Sequence, residues 1–469
     1  MNNHEHVTQL EQFRQQVYQN FNKRADALID LIDALSSNTS ARTVVELSLN
    51  PCFRRDYSSL FKAIDECQIE SSRIAKLAKA HLPRPEQRAF WLFGVDVTPQ
   101  ERRFAPTLKD RGFVYKPNTL KGNKPVTIGH QYSSVVCLPE KEAEQTAPWV
   151  IPCSTRRVKG AEDKEMVGAK QMADLLADPQ MPFHGQLCVE VGDASYSKPA
   201  YLAANRRYTN LVSIVRVRSN RTFYCQPDET ETSDSQGHPT WFGKAFVLPE
   251  PETWHDPGET FTTTHVSRRG RKYRVEIQAW QDMLMRGKQK PHPIPMQRYP
   301  FTLVRVCLYN EQGELAFQRP LWLIVVGERR HELSLADIYP VYCQRFDLEH
   351  FFRFGKQKLL LDKFQTPDTA HEETWWQLVH LAYLQLWVTR TSAQCLPRPW
   401  ERHLPVVKTG QISPAFVQRD FARIIRQLGT PAHSPKPRGI PPGRRKGMSL
   451  TPRKRRKVLR KSEARPIFA

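Results

Sequence analysis

The sequence predicts an α/β protein: a mixed-sheet core preceded by a helical region, interrupted by a β-rich insertion and followed by a basic tail. Three observations carry this. Up to about residue 85, apolar residues recur at intervals of three and four. From residue 89 the period shortens to strand-like runs, which then alternate with helical ones. The chain end loses apolar content, and its last 37 residues hold 13 Lys and Arg against one Glu, +12 of the formal +22.

The helical region, residues 1–85, rests on "LEQFRQQVYQNF", "RADALIDLIDALSS" and "DYSSLFKAIDEC", and is closed by Pro83 and Pro85. Within it, "ARTVVELSLNPCFRRDYSSLFKAI" has room for a helix-turn-helix, although no distinctive turn marks one. Residues 86–218 form the first part of the core. Strands are predicted over 89–97, 126–138, 149–155, 186–197 and 210–218, with helices over 164–178 and 199–207. Three successive strands suit an antiparallel meander, and the later β-α-β alternation supplies parallel neighbours. Residues 219–300 are rich in turn formers and hold a hairpin pattern around Gly270, the β-rich insertion. Residues 301–430 return to the core with the strands "FTLVRVCLYN" and "RPLWLIVVG". A helix follows, with Asp337 as its cap and Pro340 in its first turn. The next helix, 373–388, is apolar nearly all round, which predicts burial. Residues 431–469, basic and broken by Pro and Gly, are expected to be disordered.

Composition narrows the function classes. A pI near 9.7 points to a polyanionic partner. Nine cysteines, an odd count with no C-x-x-C pair, argue for a reducing compartment and against a zinc ribbon or disulfide scaffold. With no apolar leader and no run of about 18 apolar residues, a soluble intracellular protein without a membrane partner is expected.

Acidic residues supply the chemistry. Asp96 ends the first predicted strand and Asp193 the fourth, where open α/β sheets place their ligands. A turn or cap aspartate is the competing reading for each. The third carboxylate lies in "YCQRFDLEHFFRFGK", residues 342–356. On a helix, Tyr342, Arg345, Glu349 and Lys356 fall at roughly 0°, −60°, −20° and −40°, one polar stripe beside the apolar Leu348, Phe352 and Leu359. Asp347 points roughly 140° away. Such a stripe is either a set of surface ion pairs or a site. Three carboxylates among excess cations suit two divalent ions and a phosphate.

The spacing Tyr342-x2-Arg345-x3-Glu349-x6-Lys356 resembles the Y-x2-R-x3-E-x6-K signature of DDE transposases of insertion-sequence family four. The resemblance covers roughly residues 86 to 390. It implies an RNase H-like mixed-sheet catalytic core, with Asp96, Asp193 and Glu349 binding two Mg²⁺ (Mn²⁺ able to substitute). It also implies a β-rich insertion between the second Asp and the Glu, which here are separated by 155 residues. Tyr342, Arg345 and Lys356 would then hold DNA at the transposon end. Cleavage would free a 3′-hydroxyl that attacks target DNA. Further implications are double-stranded terminal repeats and target DNA as partners, a homodimer or higher assembly, N-terminal helices that read the repeats, and a bacterial, nucleoid-associated location. Two rivals stay open: an RNase H-like nuclease that only cuts, and a silent end-binding repressor.

Weaker signals remain. Some relatives capture a flipped base with a tryptophan of the insertion, and Trp241, Trp254 and Trp280 are the candidates, each equally readable as packing. Arg268, Arg269, Arg271, Lys272 and Arg274 crowd one hairpin and either grip phosphate or solvate a turn. "TPRKRRKV" reads as a nuclear-import signal or, given the resemblance, as a DNA-gripping arm. His371 and His380 show no metal-ligand spacing.

Overall fold

The computed structural model describes residues 3–67, 69, 71–116, 124–141, 146–227, 241–267, 270–287, 293–394, 399–403, 411–437, 447 and 452–459. Four helices come first: α1 (Asn3–Gln19), α2 (Ala25–Ser36), α3 (Tyr57–Glu66) and α4 (Ser71–Lys79). The sheet strands are β1 (Trp91–Glu101), β2 (Gly112–Tyr115), β3 (Val126–Cys137) and β4 (Ile151–Val158). Then come α5 (Lys164–Ala177), β5 (Cys188–Gly192), α6 (Pro199–Asn205) and β6 (Leu211–Val217). The next stretch holds β7 (Thr222–Tyr224), β8 (Ala245–Val247), β9 (Glu259–Val266) and β10 (Lys272–Met283). Last are β11 (Phe301–Tyr309), β12 (Leu321–Val326), α7 (Leu335–Gln344), α8 (Phe346–Lys358), α9 (Thr369–Thr389) and α10 (Pro414–Leu428).

Ten strands form one sheet in the order β2-β3-β1-β5-β6-β12-β11-β10-β9, with β4 beside β2 on the outer edge of β3. β1, β5 and β6 run parallel and the other pairs antiparallel. The part β4-β3-β1-β5-β6 is compatible with an RNase H-like order. The hairpin β9–β10 turns at Gly270, whose φ of +76° suits glycine. It continues the central sheet through β11, while β7 and β8 make a separate two-stranded sheet.

Two glycines set the layers around β1, because successive side chains leave a strand on opposite faces. On one face, Gly168 of α5 admits Val95, and an added Cβ would lie 2.8 Å from it. On the other, a Cβ at Gly94 would lie 2.2 Å from Leu348 of α8. So α5 and α8 cover opposite faces. α9 shares the α8 face: Trp376 bonds Gln100, and Glu372 accepts from Arg102 at 2.6 Å and Tyr132 at 2.9 Å. Its continuous apolar surface is buried, as its sequence predicts. α1 and α2 pack on α9 around a buried ion pair, Arg14–Asp33, with Gln385 bonding both partners.

Several expectations need correction. The first strand does not end near Asp96 but runs to Glu101, because polar Thr98 and Gln100 are buried under α8 and α9. The short β2 was not foreseen, so Asp193 follows the fifth strand. Ser334, not Asp337, caps α7, its side chain accepting from the Asp337 N–H, and Pro340 sits in the second turn. The stretch 41–64 holds a one-turn 3-10 helix (Glu46–Leu49) and part of α3, not a pair of helices. Within the tail, residues 452–459 lie against β2 through defined hydrogen bonds instead of being without structure.

Candidate active site

Asp96 shares the Gly94 face of β1 and therefore points toward α8. β1 and β5 are in parallel register with Gly94 opposite Val191; two residues further, that register brings Asp193 level with Asp96. Asp193 leaves β5 after Gly192 and caps a 3-10 turn (Ala194–Ser197). Its Oδ1 accepts from the Ser195 N–H at 2.8 Å and the Ser195 hydroxyl at 2.6 Å. The cap reading is therefore correct for Asp193, and it also fixes the carboxylate beside Asp96. Burial first, then the neighbouring negative charge of Asp193, lift the Asp96 carboxyl to about 6, against the opposing pull of Arg345.

α7 ends at Gln344 and α8 begins at Phe346, yet Arg345 between them keeps right-handed helical angles (φ −50°, ψ −33°). The polar stripe survives the junction. Arg345 is buried and bridges two acids, with Nη2 2.9 Å from Glu349 Oε1 and Nη1 3.7 Å from Asp96 Oδ2. Its guanidinium also lies over the rings of Tyr342 and Phe346. Glu349 is exposed, with its side chain 46% accessible. Lys356 reaches β1, its Nζ donating to Thr98 Oγ1 at 2.7 Å and Pro99 O at 3.1 Å. Desolvation lowers its pKa below the ordinary lysine value. Leu348, Phe352 and Leu359 are buried, while Asp347, on the far side, pairs with Lys141 at 2.6 Å.

The structure thus gathers Asp96, Asp193, Tyr342, Arg345, Glu349 and Lys356 around the middle of β1. Among the described residues, no group of three or more His, Cys, Asp or Glu stands close enough to hold a metal ion. Arg345 supplies the positive charge between Asp96 and Glu349. The donor chemistry nevertheless fits a divalent cation: the acids offer oxygen ligands, and Asp96 is lifted by burial and then by a like charge that a dication would offset.

Other candidates lie elsewhere. Trp280 is 2% exposed, enclosed by Phe246, Trp254 and Trp322, with its Nε1 donating to His255 O. That burial leaves no ring face for a base. Trp254 is partly buried and stacked on Phe246, whereas Trp241 is exposed. Arg271 and Lys272 are exposed beside the hairpin turn, and Arg268 and Arg269 lie outside the described residues. Arg274 pairs with Glu276 at 2.6 Å. His380 is a buried packing residue bonded to Trp376 O and Thr155, and His371 pairs with Asp65. Gly94 and Thr98 escaped the sequence reading, although their spacing of two from Asp96 was the available signal.

Two acids, one on β1 and one just past the parallel β5, lie beneath a helix bearing a glutamate and cations, an arrangement whose chemistry suits a cation and a phosphate. The chain belongs to the DDE superfamily endonucleases: the family so described matches residues 16–287, more than half of its length. That match spans Asp96 and Asp193 and stops before Glu349. The membership implies a nuclease- or transposase-type enzyme with DNA as substrate, in a family that generally uses divalent metals. No curated protein matches the chain. No helix among the described residues is long and apolar enough to cross a membrane.

Proposed function

We propose that the protein is a DNA transposase of the kind found in insertion-sequence family four, cutting transposon ends and joining the freed 3′-hydroxyl to target DNA. The observation that supports this most is the Arg345 bridge, which ties the helix bearing the Tyr-Arg-Glu-Lys signature to the aspartate of β1. Asp96, Asp193 and Glu349 would hold two Mg²⁺. Bound there, divalent ions supply the positive charge that eases deprotonation of the attacking oxygen and departure of the leaving one. The rest is the work of the chain's own groups. Asp193, fixed by Ser195, keeps its carboxylate level with Asp96. Arg345 orients Glu349 and offsets the acids' mutual repulsion. Lys356, tethered to Thr98, sets a cation beside the site for a phosphate oxygen.

Tyr342 is buried with its ring against Arg345, so its part in this reading is to steady that guanidinium. Exposed Trp241, Arg271 and Lys272 extend the DNA surface, the N-terminal helices read the terminal repeats, and two copies pair the two ends. A bacterial, nucleoid-associated location follows from this reading.

The test is a strand-transfer assay with labelled DNA from the gene's own flanks, a supercoiled target and Mg²⁺. Label joined to the target is expected. Cutting without joining would establish the nuclease reading instead, and end-binding without cutting would establish the repressor.

A further inference from the structure

The outer edge of β3 carries two short strands end to end. β2 pairs with residues 126–129, from Tyr115 opposite Val126 to Gly112 opposite Gly129. β4 pairs with residues 131–137, starting with Val158 opposite Gln131. Between them is a break, and behind it a cavity of about 370 Å³ bordered by Gly112, Gly129, His130, Val158 and Gly160. An interrupted sheet edge exposes unpaired backbone and is ordinarily covered. Here Leu459 lines the cavity. Its N–H donates to Arg111 O at 2.8 Å, it bridges Gly112 in the parallel sense, and Arg456 N–H donates to Pro106 O at 2.8 Å. Gly160 is what makes the seat, since a Cβ there would lie 2.2 Å from Leu459 Cδ1.

We infer that this break is a docking notch for the chain's own C-terminal segment, seated in cis by Leu459. Docking turns Arg453, Lys454, Arg455, Arg456 and Lys457, all exposed, into a fixed basic strip on the catalytic sheet. Gly112 lies two strands across and five residues along from Asp96. That is about 20 Å by strand geometry, or about six base pairs of duplex. Tethering makes a small contact sufficient, because a linked segment meets its seat at an effective concentration in the millimolar range. The strip's role in holding DNA rests on the function proposed above; the docking does not.

Full-length Gly160→Cys/Leu459→Cys tests the dock. The Cβ of Leu459 lies 3.9 Å from a Cβ built at Gly160, close to the disulfide mean of about 3.8 Å. Mild oxidation without DNA should give a faster-migrating monomer that holds the 160–459 peptide pair and reverts on reduction. Neither single-cysteine variant should give it. Absence of the link, or its appearance only in covalent dimers, would overturn docking in cis. In a second arm, replacing the five cations by Gln should flatten the slope of log K against log salt for duplex binding by up to about 4.5. The cross-linked form should keep the wild-type slope. An unchanged slope in the Gln variant would overturn the strip while leaving the dock in place.

Discussion

Glu190, in the middle of β5, is fully buried, and its Oε1 accepts from Tyr201 at 2.8 Å, Ser213 at 2.6 Å and Asn205. Burial lifts its carboxyl to about 7, and the three donors only partly oppose this. The folded state therefore keeps a proton that the unfolded chain gives up near pH 4.5, so this group's stabilisation declines as pH rises from about 4.5 to 7 and then levels. Buried His380, held down to about 4, acts in the opposite sense, its stabilisation declining as pH falls below about 6.5. The Glu190→Gln variant should gain stability relative to wild type between pH 5 and 7.5, by an amount on the order of 3 kcal/mol at most. Thermal melts across that range check it; a pH-independent difference between the two proteins would contradict it. The sequence showed Asp96 and Asp193 because each interrupts an apolar run. Glu190 sits in the same "LCVEVG" but was passed over, since two of its three partners come from α6 and one from β6, which no local pattern connects.

At the scale of elements, the seat of α8 on β1 decides where Glu349 stands. Gly94 permits it, because any Cβ there meets Leu348. Gly94→Val should push α8 outward, cost about 1–3 kcal/mol in denaturant unfolding and lower cleavage more than DNA binding. Unchanged stability and activity would show that α8 is not held at this distance. The polar stripe was legible because a helix has one period, and it survived the junction at Arg345 because that residue stays helical. The junction itself, the Ser334 cap and the true end of β1 were not legible. Each depends on what packs opposite: Thr98 and Gln100 look like solvent-facing residues until Lys356 and Trp376 cover them.

Across the whole molecule, the helices of the N-terminal region share their core with the central sheet through α9. Arg14, Asp33 and Gln385 form that link at full burial, with Arg14 Nη2 2.9 Å from Asp33 and Nη1 3.1 Å from Gln385. Removing the cation strands the carboxylate, so Arg14→Met should cost about 3–5 kcal/mol. Spectroscopic and activity transitions should still coincide on heating; separate transitions would mean that the helices fold independently. Alternation of strands and helices made the core legible, whereas the joining of β9–β10 to the same sheet was not, because sheet order is set by long-range pairing that local period does not encode. The family match reaches both aspartates but not Glu349, so the third acid is the central claim. The most direct measurement is cleavage of DNA from the gene's own flanks by wild type and Glu349→Gln, with Mg²⁺ or with EDTA, alongside binding of the same DNA. Cutting at a defined boundary should vanish in EDTA and drop by about a hundredfold or more in the variant, with binding retained; cutting that survives the substitution unchanged would contradict a three-carboxylate site.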